Sequence, residues 1–353
     1  MITVQKNELL NAIKAVKTAT AKIDINPILK CIHIKSEGYG LILTATDLSS
    51  SAQALCEANI TEDIDICVNA EKFENIIAKL DEIITFNLGQ GVLDIKSGNT
   101  EFKLVFIQPQ EYPEITFEQT EDFVTLTKDE FINGVNKTAI SSSTAEQSVM
   151  SGICFTFNND SYEMASTDGT RLSQVKFNTV VNKEGQYVIP QKVLLNVVRN
   201  IDKEVTLYFA ENTIVFHTDN CFFKQNLLNG KYPDYKKVIP QNQQYKATIK
   251  RSDLLHALEK VAVMCDEKTN ITTFDFENNK LKLTTACDNG KAKDIIDINF
   301  EGKNKLALNY KFVLEGVKVM DTEDIIFEMS EALSPCVLKS DFCYLIMPMK
   351  GKD

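Results

Sequence analysis

The chain repeats itself three times at a period near 120 residues, and nothing else in its 353 residues constrains the fold as tightly. One landmark is a strand that runs into an aspartate: Leu43-Thr44-Ala45-Thr46-Asp47, Ala165-Ser166-Thr167-Asp168 and Thr285-Ala286-Cys287-Asp288. These aspartates stand 121 and 120 residues apart. A second landmark opens helices: Ala70-Glu71-Lys72-Phe73, Pro190-Gln191-Lys192-Val193 and Tyr310-Lys311-Phe312, with lysines 120 and 119 apart. Two independent series holding one period make coincidence a poor account. The period far exceeds the roughly 20–50 residues of solenoid repeats and has the size of a domain. Domains are therefore expected at 1–119, 120–243 and 244–353, with polar Glu- or Gln-rich linkers near 117–123 and 240–245.

Each repeat follows one plan. An opening helix is predicted at 6–19, 127–141 and 250–265; in the first, Leu9, Leu10, Ile13 and Val16 make an apolar stripe at helical spacing. Strands rich in β-branched and aromatic residues follow, such as 41–44 and 281–284. A second helix is predicted at 69–80, 190–201 and 309–320, with Pro190 suited to a first helical position. Further short strands, such as 205–209 and 213–216, close the repeat. Two helices and many strands per repeat give an α+β fold with the helices on one face of antiparallel sheet.

Several function classes drop out. The apolar runs, such as that containing Leu345-Ile346-Met347, are too short to span a bilayer, and the start lacks the basic-then-apolar layout of a secretion signal, so the cytoplasm is expected. The nine cysteines are scattered, odd in number and without Cys-x-x-Cys spacing, which fits reduced, mostly buried thiols rather than disulfides or zinc. No Gly-x-x-x-x-Gly-Lys-Ser/Thr loop is present. His33 and His217 fall in alternating strands and His256 in a helix, structural or exposed settings rather than catalytic ones. Asp47, Asp168 and Asp288 occupy equivalent places in three domains, so they read as turn formers and not as one metal site. No catalytic residue, metal or cofactor is expected.

The net charge of −11 argues against nucleic acid until its distribution is examined. The six helix windows together carry about +6, which leaves about −17 for everything else. Helices lining one surface would draw phosphate to it while the exterior repels it, although helix propensity alone also enriches lysine. Twelve helices about 9 Å apart make a ring of roughly 110 Å circumference and a hole of about 25 Å, enough for a duplex; six leave less than about 10 Å. That arithmetic favours two copies of the chain.

The segment Ala165-Ser166-Thr167-Asp168-Gly169-Thr170-Arg171-Leu172 resembles the Thr-Asp-Gly-x-Arg-Leu motif of the bacterial DNA polymerase III beta subunit family, the DNA sliding clamps. So do the run from Leu227-Leu228-Asn229-Gly230-Lys231-Tyr232-Pro233-Asp234-Tyr235 to Pro240, the C-terminal Tyr344-Leu345-Ile346-Met347-Pro348-Met349, and Pro27-Ile28-Leu29. The match covers the whole length in order. The resemblance implies three similar clamp domains per chain in a head-to-tail homodimeric ring around duplex DNA. Such a processivity factor binds without regard to base sequence and has no chemistry of its own. The implied partners are the polymerase III catalytic subunit, the clamp loader, and other polymerases and repair proteins carrying clamp-binding motifs, with no membrane. A protein-binding scaffold that never holds DNA is the alternative.

The family's partner-peptide pocket maps onto Met150, Thr167, Gly169, Thr170, Arg171 and Leu172, onto Pro233, Lys237 and Val238, and onto Leu345, Met347, Pro348 and Met349. Met, Leu, Val and Pro would form an apolar slot, with Arg171 and Lys237 at a basic rim. Core packing is the other reading of Leu345 and Met347. Thr170 stands where the family often has His, Lys237 where it has Arg, and a polar tail 350–353 replaces a short Arg-Leu ending. For the ring joint the resemblance implies Phe102 and Leu104 against Val263 and Met264, which otherwise belong to their own cores. The residues expected to face DNA are Lys14, Lys17, Lys22, Lys72, Lys137, Lys192, Arg199 and Lys311.

Overall fold

A computed structural model describes residues 1–22, 26–145 and 148–350. Six helices form in the six expected windows: α1 (Lys6–Lys17), α2 (Ala70–Ile77), α3 (Lys128–Ala139), α4 (Gln191–Asn200), α5 (Arg251–Ala262) and α6 (Tyr310–Val319). Each is somewhat shorter than its window because the flanking residues belong to caps and strands. Asn69 stays extended and its side chain accepts from the Lys72 amide; Asn309 does the same for Lys311. Pro190 closes the preceding strand Glu184–Pro190, so the helix begins one residue after it. The stripe on α1 is confirmed at Leu9, Ile13 and Val16, all fully buried, while Leu10 is half-buried.

Three repeats fold into two compact units, because the division runs through the middle repeat. The first unit holds 1–131 and 192–227, the second 132–191 and 228–353.

The first unit is built on one twelve-stranded sheet. Its first eight strands close on themselves, since Ile2–Gln5 pairs both with Ile83–Leu88 and with the far end of the long strand Ser50–Ile60. The near end of that long strand pairs antiparallel with Cys221–Asn226, which continues the sheet through Thr213–His217 and Glu204–Phe209 to Phe123–Thr127. Strand Thr100–Ile107 meets Asp65–Asn69 only at Phe106 and Ile107, so among the described residues its stretch from Thr100 to Val105 has a strand neighbour on one side alone.

The second unit has a nine-stranded and a four-stranded sheet. The larger carries the same joint: Arg171–Phe177 follows its aspartate turn and pairs antiparallel with Cys343–Ile346, the last strand of the chain. The smaller ends on the edge of Gly290–Asp297, which is unpaired among the described residues. A core of Leu254, Leu258, Phe274, Phe276, Val313, Phe327 and Tyr344 holds α5 and α6 against these sheets. Gly316 is needed there because a Cβ would overlap the Tyr344 ring. Seven of the nine cysteines are buried and all are free thiols. Among the described residues no helix is long and apolar enough to cross a membrane.

Candidate functional site

The Asp168 turn is closed by its own side chains. Asp168 Oδ1 accepts from the Thr170 amide at 2.9 Å, the Thr170 hydroxyl at 2.6 Å and the Arg171 amide at 3.0 Å. Thr167 Oγ1 accepts from the Gly169 amide at 3.1 Å and donates to the Arg171 carbonyl at 2.7 Å. Gly169 sits at φ +89, where a side chain is strained. Thr170, in the place of the family's frequent His, thus turns its hydroxyl back into the loop. The strand leaving this turn is in register with the chain end, Arg171 against Ile346 and Leu172 against Leu345, and the Met347 amide donates to the Thr170 carbonyl at 2.8 Å. Met349 is tied by its amide to the Ala307 carbonyl at 2.8 Å.

Leu172 and Leu345, each 2% exposed, share one cluster with Tyr232, Tyr235, Cys154 and Val337. They form the support beneath the surface rather than the surface itself. Of the other candidates, Met347 is 39% and Val238 52% exposed, Pro233 is exposed, and Pro348 and Met349 are half-buried. Half-buried Met150 lies in the short 3-10 turn Val149–Ser151, whose Val149 packs on the same cluster. The three stretches of sequence that carry the predicted pocket residues therefore share one supporting cluster within one unit.

The basic rim differs from the expectation. Arg171 is largely covered: Nε pairs with Asp168 Oδ2 at 3.0 Å, Nη1 pairs with Glu315, and its guanidinium lies 4.1 Å from the centre of the Phe312 ring. With both ends of its fork engaged, it braces the turn against α6. Lys237 is exposed and pairs with Asp234 at 2.8 Å. Sequence reasoning missed the buried carboxylate behind this rim. Glu163, on the strand Ser161–Thr167, accepts from the Tyr235 hydroxyl at 2.8 Å and Gln174 Nε2 at 3.0 Å and pairs with Lys236. Burial works to raise its pKa, but Lys236, Tyr235 and Gln174 outweigh it and hold the carboxyl below its usual range. Nothing in a strand of mixed polarity singles Glu163 out before the 228–240 segment folds over it.

Family models match the chain from end to end: the N-terminal domain of the DNA polymerase III beta subunit at residues 1–116, the central domain at 125–234 and the C-terminal domain at 236–350. The chain belongs to the DNA polymerase III beta subunit family. Its relatives include the beta sliding clamps of Synechococcus elongatus, 26% identical over 98% of both chains, and of Chlamydia muridarum, 26% identical over 99% of both. In three dimensions it is similar to the beta subunit of Thermotoga maritima (TM-score 0.91, 23% identity, all of both chains) and the polymerase sliding clamp of Bacillus subtilis (TM-score 0.88, 22% identity, 99% of both). The central and C-terminal family models meet within the 228–240 segment, so in this beta-family chain the candidate pocket is built where two of its domains join.

The remaining candidates separate by burial. Lys14, Lys22, Lys72, Lys192, Arg199 and Lys311 are exposed, and half-buried Lys17 pairs with Glu74 at 2.5 Å. Lys137 departs from the expectation: it is 2% exposed, its ammonium pairs with Asp341 and, at 2.8 Å, with Asp321, and it lies 5.9 Å from the Phe342 ring. A charge so enclosed is spent inside the protein. Its helix face packs inward, which lysine counting could not reveal.

At the expected joint, Leu104 is buried at 7% and belongs to its own core, and Phe102 is half-buried. Alternation along the strand leaves Val105 and Ile107 outside, 69% and 44% exposed; period-two reading of Thr100–Ile107 would have found them. Val263 is 80% exposed, and half-buried Met264 packs over Gly290 at the start of the other free edge. Tail residues 351–353 lie outside the described residues.

Proposed function

We propose that two copies of this chain close head to tail into a ring around duplex DNA, and that the Asp168–Met347 surface tethers partner proteins to it. The chain is a DNA sliding clamp of the beta-subunit family, acting as a processivity subunit without catalytic residues of its own. The observation carrying the ring is a pair of unsatisfied strand edges on different units. Thr100–Val105 with Val105 and Ile107 exposed would meet Gly290–Asp297 with Ile295 and Val263 exposed. Free edges with apolar side chains invite pairing with another chain. A head-to-tail contact uses one edge from each copy, and two such contacts complete a ring of two subunits. The exposed lysines and Arg199 on α1, α2, α4 and α6 supply a salt-sensitive attraction for phosphate without reading bases. The polymerase III catalytic subunit, the clamp loader and repair proteins are the proposed occupants of the pocket.

Retention on DNA of different topology tests the reading. Clamp assembled by its loader on nicked circular DNA should stay through gel filtration and leave once the circle is cut. Met264→Asp, which puts a charge into the joint, should give a monomer by light scattering and lose retention. Equal retention on circular and linear DNA would refute encirclement, and an unchanged dimer mass in Met264→Asp would refute this joint.

A further inference from the structure

The segment from Leu228 to Pro240 carries Pro233, Lys237 and Val238, yet its only regular element is the 3-10 turn Tyr235–Val238. Beyond the strand tie from the Leu228 amide to the Val188 carbonyl, it is anchored through two buried tyrosines. Tyr232 accepts from the Thr167 amide at 3.1 Å, inside the Asp168 turn. Tyr235 donates to Glu163 at 2.8 Å, and the adjacent Lys236 pairs with the same carboxylate. Glu163 is 5% exposed and both its oxygens are engaged, so it is a fixed point on a sheet strand rather than a surface charge that can follow the loop. Two and three residues after Tyr235 come Lys237 and Val238. Where Tyr235 stands therefore determines where those two exposed side chains point.

We propose that Glu163 is a positioning residue for partner binding: its carboxylate, acting through Tyr235 and Lys236, sets the rim on which Val238 and Lys237 meet a peptide. This rests on the pocket reading above. A buried, charge-assisted anchor holds the rim in its binding position before the peptide arrives, so the peptide does not have to order it. Without the carboxylate the turn can rest elsewhere, and affinity falls by the fraction of time it is misplaced.

The test is titration of a fluorescent peptide, copied from the clamp-binding segment of the polymerase III catalytic subunit, into full-length protein. Glu163→Ala should weaken binding by about tenfold, the weight of one charge-assisted hydrogen bond. Glu163→Gln, which keeps an acceptor for Tyr235, should recover part of that loss. Tyr235→Phe, which keeps the ring and removes only the hydroxyl, should act in the same direction as Glu163→Ala, and the double variant should be less than additive. It also carries the test if Glu163→Ala fails to fold. Met347→Ala serves as the pocket control. If Met347→Ala weakens the peptide while folded Glu163→Ala or Tyr235→Phe binds like the unmodified protein, the pocket stands and the role of Glu163 is overturned. Full additivity of Glu163→Ala and Tyr235→Phe overturns it as well. If the unmodified protein does not bind the peptide, the pocket reading falls and takes this inference with it.

Discussion

The turn at Asp47 and the turn at Asp168 are the same structure in different units. Asp47 Oδ1 accepts from the Ser49 and Ser50 amides as Asp168 Oδ1 accepts from those of Thr170 and Arg171. Thr46 Oγ1 bridges the Leu48 amide and the Ser50 carbonyl as Thr167 Oγ1 bridges Gly169 and Arg171. Each following strand takes a strand of the next repeat as neighbour, with the Asn226 amide on the Ser49 carbonyl in one case and the Met347 amide on the Thr170 carbonyl in the other. The cross-joint pairs differ. Ser51 faces Lys224 in the first unit, whereas Leu172 faces Leu345 in the second. Lys224 spends its ammonium on the Thr116 carbonyl, and Asn226 stands where the second unit has Met347. One backbone thus gives a polar seam in one unit and an apolar support with an exposed methionine in the other. The lesson is that the joint builds the scaffold and a few side chains decide whether it can hold an apolar peptide.

The contrast breaks most severely at the supporting pair. Leu172→Ser, which copies Ser51, should cost about 3–5 kcal/mol in urea unfolding, because it removes a buried side chain and leaves a hydroxyl among apolar neighbours. Ser51→Ala should cost about 1 kcal/mol at most, the worth of its hydrogen bond to Thr46 at 2.9 Å. Comparable losses would mean that the two joints bear similar loads.

A middle-sized effect is expected at the surface. Met347→Ala should weaken the polymerase-derived peptide by about tenfold, the partial burial of one apolar side chain, with the dimer intact. Asn226→Ala should leave that titration unchanged, and Lys237→Ala should matter less than Met347→Ala because an exposed ion pair is worth little. Loss of binding in Lys237→Ala with none in Met347→Ala would show a polar-driven site.

The smallest effect sharpens the comparison of the turns. Leu48 holds φ +72 where Gly169 holds φ +89, and a Cβ at Gly169 meets nothing within 4 Å. Gly169→Leu should therefore cost only the backbone strain, about 1–2 kcal/mol by thermal unfolding. Leu48→Gly should change stability by less than about 1 kcal/mol, since relief of strain is offset by a freer unfolded chain. A much larger loss in Gly169→Leu would mean that the turns differ in more than their side chains.

The sequence by itself determined the threefold repeat, the six helices and the turn-forming role of Asp47 and Asp168, because these follow from local spacing, capping and side-chain-to-backbone hydrogen bonds within a few residues. The pocket motifs were legible too, as words that resemble a family. Their roles were not. Leu172 and Leu345 became support, Arg171 a brace and Lys137 an internal ion pair only because segments more than 100 residues apart in sequence pack together. Burial and pairing of a charged side chain depend on which distant carboxylate arrives beside it, and no local pattern encodes that. The tertiary structure alone decided that three repeats form two compact units, that Val105 and Ile107 face outward, and that Glu163 lies beneath the rim.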